Sequence, residues 1–406
     1  MNRREFLRLA AVLPWFGATV GATLSANAIA NPNALDEIVT PTVKTPAAGR
    51  PRSQQRILVL VKLAGGNDGL NTLIPFSDSS YQQYRDYRPS IAVPKHQVLD
   101  IGGGQGMNPY LQVLQPYWEA GQLAWIRGVG YPHNDLSHFR SVDIWETGSA
   151  AGEYTEIGWL GSVVPQCKAG LHGIVIGDSM GPLAGKDCNA VAMQSPQTFL
   201  NQVDLLSDIA PTNITPALRH LTNVQHQLYD AGAQLSARLQ RPSALGVNFS
   251  TSEIGRDLES VASMILSGVD ATVYMVTLDG FDTHTNQVNV QSNLLHQLAA
   301  GLNSFAQAMQ RGGRWNDVLL VTYSEFGRRV QENHGRGTDH GAASVQLVMG
   351  GRVRGGVYGD LPNLSQLDYD GNIPYEIDFR QVYSTITQRW LGQNSPWKNF
   401  GVLPFV

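Results

Sequence analysis

Cysteine is almost missing from this chain: Cys167 and Cys188 are its two representatives among 406 residues. Neither lies in a Cys-x-x-Cys pair, which excludes a disulfide-stapled scaffold and a thiolate metal or redox motif. The sequence leaves open whether the two thiols bond to each other or are buried separately. Charge is scarce as well, at 15% of residues, and 29 basic against 33 acidic side chains give a net of -4. Without a basic excess there is no field to hold phosphate backbones, so nucleic acid is not an expected partner. His-Glu-x-x-His and glycine-rich phosphate-cradling motifs are missing, and no internal repeat is visible. What is abundant is hydrophobic residues, at 42%, and glycine, at 42 positions. That composition builds a core for one large domain and suggests many tight turns.

The first residues read as an address. Arg3 and Arg4 stand just before Phe6-Leu7, a mild apolar stretch runs from Leu9 to Leu24, and Ala26-Asn27-Ala28 offers a small-residue cleavage site. The stretch is too short and too mild for a stable membrane span. Residues 1–28 resemble a bacterial twin-arginine signal peptide. That resemblance implies a periplasmic or secreted protein, the twin-arginine translocase as a transient partner, and passage through the membrane already folded. Residues 29–55, with Pro32, Pro41, Pro46 and Pro51, read as an extended linker.

The folded domain is expected over 56–406. Ile57 to Leu63 is a nearly unbroken apolar run, as required of a strand covered on both faces of a parallel sheet. Similar runs recur at Leu123–Val129, Gly173–Ile176, Thr272–Leu278, Val318–Tyr323 and Val345–Met349. Between Asn286 and Arg311, apolar residues at spacings of three and four predict an amphipathic helix, and Pro216 to Leu239 is helical by pattern. Alternating strands and helices predict a three-layer α/β/α domain with a mostly parallel sheet. Residues 179–268 are expected to form a helical insertion.

In open sheets of this kind, functional groups gather beyond the carboxyl ends of the strands. Five loops there carry polar chemistry: Gly65-Gly66-Asn67-Asp68-Gly69, Leu136-Ser137-His138-Phe139-Arg140, Asp279 to His284, Ser324-Glu325-Phe326-Gly327-Arg328 and Gly337-Thr338-Asp339-His340-Gly341. Carboxylates, imidazoles and a hydroxyl are the donors that divalent metals choose. The bland alternatives are helix-capping carboxylates and hydrogen-bonded histidines.

These five motifs together resemble the bacterial family called domain of unknown function 1501, from about Arg56 to Ile377-Asp378-Phe379-Arg380-Gln381-Val382-Tyr383. That family in turn resembles the alkaline phosphatase and sulfatase superfamily. The resemblance implies an alkaline-phosphatase-like fold and a hydrolase of phosphate or sulfate esters, on small molecules or polymers. It places metal ligands at Asn67, Asp68, Asp282, His284, Glu325, Asp339 and His340, for an ion such as zinc, calcium, magnesium or manganese. Ser137 is the implied nucleophile, His138 a proton donor to the leaving group, and Arg140 or Arg328 a clamp on a tetrahedral oxygen. Phe326 stands where the superfamily's Asp-His ligand pair would place its histidine, which puts a second metal in doubt. The Cys-x-Pro-x-Arg modification motif of sulfatases is missing, so phosphoester chemistry is favoured over formylglycine chemistry.

Two other functions fit the sequence. One is a non-catalytic cell-envelope binding protein of the same fold. The other, more remote, is a serine esterase using Ser179, because Gly177-Asp178-Ser179-Met180-Gly181 matches the Gly-x-Ser-x-Gly elbow.

Overall fold

A computed structural model describes residues 56–167, 170–205, 216–240 and 244–406, with side chains from 222 onward in the third segment. The expected signal peptide and linker lie outside the described residues.

The run Ile57–Leu63 forms β1, and its burial explains its composition. Ile57, Val59 and Val61 enter one apolar cluster, while Leu58 and Leu60 enter the cluster on the opposite face. All five are 3% exposed or less. Each such side chain contributes about 1.5–3 kcal/mol relative to exposure, so a polar residue here would be costly.

The main sheet continues with β2 (Leu123–Gly130), β3 (Gly173–Ile176), β4 (Ala190–Met193), β5 (Val273–Leu278), β6 (Val318–Tyr323), β7 (Ser344–Met349), β8 (Gly356–Tyr358) and β9 (Ile377–Asp378). Its order is β8-β2-β7-β6-β1-β5-β3-β4, with β9 beside β2. β7 is antiparallel to β2 and β6, while the other pairings in this sheet are parallel. The carboxyl ends of β1, β2, β5 and β6 therefore share one edge. Because β7 runs the other way, it begins at that edge, and the loop entering it delivers Asp339 and His340 there.

Helices cover both faces, completing the three expected layers. One is α1 (His138–Thr147), packed beside α2 (Phe379–Thr385) through Ile144, Trp145, Phe379 and Tyr383. The other face carries α3 (Glu253–Ser267) and α4 (Gln287–Arg311). Leu294, Leu295, Leu298, Leu302, Phe305 and Met309 of α4 are buried as their spacing predicts.

The stretch 179–268 departs from expectation. It holds the helices Pro196–Asp204, Pro216–Leu239 and α3, but also β4, which extends the main sheet. β4 is as short as β3 but carries two alanines in place of the β-branched run Ile-Val-Ile, so it does not stand out as a strand. No disulfide joins Cys167 and Cys188. Among the described residues, no helix is long and apolar enough to cross a membrane.

Candidate metal centre

Arg328 ties the loops at the sheet edge together. Its Nε donates to the Gly66 carbonyl at 2.8 Å, its Nη1 to Thr338 O at 2.7 Å, and its Nη2 to Gly65 O, to Phe281 O at 3.0 Å and to Asp282 Oδ1 at 2.7 Å. A single fork thus joins the loops after β1, β5 and β6 to the loop that enters β7. The guanidinium is fully buried. It is not a clamp facing a substrate, as the sequence suggested. A short antiparallel pairing of Gly327–Arg328 with Gly341–His340 completes the frame.

Three histidines converge on Asp282 within that frame. His340 Nδ1 lies 2.8 Å from Leu136 O, His284 Nδ1 lies 3.2 Å from Asp339 Oδ1, and His138 Nδ1 lies 3.1 Å from Glu325 Oε1. Carbonyl and carboxylate oxygens only accept, so each Nδ1 is the donor in its contact, and each ring turns its Nε2 the other way. The Nε2 atoms turn toward one another and toward Asp282. His284 Nε2 is 3.0 Å from His340 Nε2 and 3.0 Å from Asp282 Oδ1, and His340 Nε2 is 3.1 Å from the same oxygen. His138 Nε2 approaches Asp282 Oδ2 at 3.4 Å. In the set His138, Asp282 and His340, ligand atoms lie within 4.8 Å of one another.

Lone pairs and a carboxylate oxygen at such distances repel unless a proton or a cation sits among them. Ligands of a tetrahedral ion at about 2.0–2.1 Å stand roughly 3.3–3.4 Å apart, close to these separations. Oxygen acceptors behind the histidines are what fix ring orientation around a metal. The donor set therefore fits a divalent cation.

Charge at the cluster follows its contacts. Burial raises the Asp282 carboxyl, but hydrogen bonds from Arg328 and His340 outweigh it and bring its pKa down to about 2. Asp339 is lowered by its bond from Asn333 and by His284, against burial. His340 is lowered chiefly by burial, and the charges of Arg328 and His138 act in the same direction. Asp282 stays an anion and His340 favours the neutral ring that can serve as a ligand.

The other expected site residues are placed differently. Glu325, 3% exposed, accepts from Gly65 N at 2.7 Å and faces His138, so it stands behind a histidine, as Asp339 does. Asn67 and Asp68 are both 1% exposed and are bound up in their own loop. Asp68 caps the turn Gly69–Thr72 and meets Arg88 at 2.7 Å, while Asn67 receives bonds from Gln291 and Thr72. Arg140 is tied to Asp143, to the carbonyls of Ala151 and Glu153, and to the Tyr154 ring at 3.9 Å. It is engaged by its own helix and by the loop that follows it. Ser137 is exposed at the N-terminus of α1, between Leu136 and His138, and its hydroxyl makes no capping bond. Phe326 is 2% exposed and stacks on His340 at 4.2 Å, walling the site where a further ligand was expected.

The sequence missed His138 as a possible ligand and Arg88 and Gln287 as partners of Asp68. Arg88 lies twenty residues from Asp68 in no motif, so spacing carried no signal. The serine elbow is not formed: Ser179 is followed by the 3₁₀ turn Gly181–Leu183 rather than an α-helix, and its Oγ accepts from Gly181 N at 3.2 Å.

Residues 260–390 match the family described as protein of unknown function (DUF1501). The likeness to that family read from the loop motifs is shown over this segment, which holds Asp282, His284 and His340. No curated protein matches the chain. Similar solved structures include a phosphonate monoester hydrolase from Silicibacter pomeroyi, 12% identical, with 86% of this chain and 76% of that one covered and a TM-score of 0.41. A sulfatase from Pseudoalteromonas sp. is 10% identical, with 84% and 68% covered and a TM-score of 0.38. An alkaline phosphatase from the Antarctic bacterium TAB5 is 10% identical, with 75% and 94% covered and a TM-score of 0.33.

Proposed function

We propose that this protein is an exported, metal-dependent hydrolase of phosphate or sulfate esters. The observation that carries the reading is the convergence of three imidazole Nε2 atoms on Asp282, with exposed Ser137 preceding His138 in the chain. His138, Asp282, His284 and His340 would hold the ion, oriented by Glu325, Asp339, Leu136 O and Arg328. A divalent ion there supplies positive charge for an ester oxygen and favours ionisation of a nearby hydroxyl or water.

Ser137 is the nucleophile in this reading. Its exposed place at the start of α1 leaves the hydroxyl open to a substrate, and the backbone amides of that helix end favour an anion beside it. The buried Phe326 ring packs against His138 and His340 and gives the pair an apolar floor. Export rests on Arg3-Arg4 and the apolar stretch that follows, and it makes the translocase a transient partner.

The test is turnover of 4-nitrophenyl phosphate and 4-nitrophenyl sulfate by the mature protein and by Ser137→Ala. Activity that needs a divalent ion and falls at least 100-fold in the variant supports the proposal. Turnover unchanged by the substitution removes Ser137. Phe326 favours a second reading, a non-catalytic binding protein of the cell envelope, because it fills a ligand position with an apolar ring. Bound metal with no turnover of either ester would favour that reading.

A further inference from the structure

The superfamily resemblance makes Asp68 a metal ligand, and the side chains around it do not fit that role. Asp68 Oδ1 accepts from Leu70 N at 3.0 Å and Asn71 N at 3.3 Å. Its Oδ2 accepts from Arg88 Nη1 at 2.7 Å and from Gln287 Nε2. A carboxylate offers about four lone-pair positions, and all are taken. The Arg88 guanidinium, 0% exposed, is committed equally: Nη1 also reaches Asn71 Oδ1 at 2.7 Å, Nε reaches Val330 O at 2.8 Å and Nη2 reaches Arg329 O at 2.9 Å. A cation is therefore already installed against this carboxylate, and it is covalently part of the chain.

We infer that Arg88 is a built-in counter-cation that takes the place of a second metal, so that Asp68 lies outside the ligand set and the centre holds one ion. This deepens the metal reading above and rests on it. Arg88 acts as a positioning residue. From the end of the helix Asp78–Tyr87 it holds the loop after β1 to the backbone of Arg329, next to the Arg328 fork. A relay through Gln287 Nε2 on Asp68, Thr338 Oγ1 on Gln287 at 2.7 Å and Arg328 Nη1 on Thr338 O at 2.7 Å connects the pair to Asp282. A second divalent ion would have to displace a fully buried guanidinium from four hydrogen-bond acceptors. A buried pair also resists loss of one partner far more than loss of both.

The test has two arms on the full mature chain. The first is elemental analysis of wild type and Asp68→Asn after loading with zinc or manganese alone. One equivalent in both is expected; two equivalents in wild type, or loss of at least half the metal in Asp68→Asn, overturns the inference. The second arm is thermal unfolding of Arg88→Met, Asp68→Asn and the double variant. Arg88→Met alone is expected to lower Tm most, and adding Asp68→Asn to restore at least half of that loss. A double variant as unstable as the sum of the singles overturns the pairing. Should wild type take up no ion, the metal reading of the histidine cluster fails, and the unfolding arm still decides whether Asp68 and Arg88 are each other's counter-charges.

Discussion

Replacing Arg328 by Met tests how the centre is assembled. The buried fork serves five acceptors: the carbonyls of Gly65, Gly66, Phe281 and Thr338, and the Asp282 carboxylate. Hydrogen bonds to a charged group contribute about 1.5–3 kcal/mol each, and they are not additive when one side chain makes all of them. Asp282 is half-exposed and can turn to water, whereas the carbonyls around the fork are less able to do so. Loss of one partner from a buried ionic network costs about 3–5 kcal/mol, and we expect Arg328→Met to fall in that range. The shift should appear in the urea midpoint at unchanged slope. Arg328→Lys keeps the charge but not the fork, and should recover about half of the loss. If the guanidinium instead touched substrate, both variants would lower kcat and leave stability alone. A loss below about 1 kcal/mol in Arg328→Met would refute the argument that this residue assembles the site.

Gly66 has φ +84°, and a Cβ there would stand 2.3 Å from the Phe326 ring, so Gly66→Ala should lower stability by about 1–3 kcal/mol in denaturant unfolding. Ile57→Ala on β1 should cost about 2–5 kcal/mol by the same measurement, because the side chain is fully buried. Burial, with the Glu253 charge second and Arg256 opposing, raises the Asp257 carboxyl to about 7. A carboxyl raised above its unfolded value near 3.8 favours the folded state while protonated, so its share of stability is full at low pH and is lost as pH rises toward about 7. Asp257→Asn should therefore raise Tm at pH 8 and leave it unchanged at pH 3.5, and an equal effect at both values would contradict the assignment. EDTA should abolish ester turnover by the mature protein, with recovery on adding back the divalent ion.

The strands were legible because they are covered on both faces. Ile57–Leu63 alternates between two apolar clusters, so every position except Lys62 is apolar and the run stands out. The helix Gln287–Arg311 was legible for the opposite reason: one stripe is buried and the remainder mostly polar. β4, Ala-Val-Ala-Met, has one β-branched residue where β3 has three at the same length. At the site, strand ends locate the loops in the sequence, and three of those loops meet at His138, Asp282 and His340. Sequence patterns misplaced the arginines. A motif shows that Arg328 follows Phe326 and Gly327, but whether its fork faces solvent or four backbone carbonyls depends on how distant loops fold back. The same holds for Asp68, whose partner Arg88 ends a helix with no marker of its own. His138 was read as a proton donor because its place beside Ser137 suggested chemistry, while the orientation of Nε2 toward Asp282 depends on Glu325 from another strand end.

Elemental analysis of the purified protein, beside Asp282→Ala purified in the same way, addresses the central claim most directly. The account predicts about one equivalent of a divalent ion in wild type and essentially none in the variant, because Asp282 is the group on which all three histidines converge. Wild-type protein that carries no ion after purification, and takes up none when zinc or manganese is supplied, would contradict it.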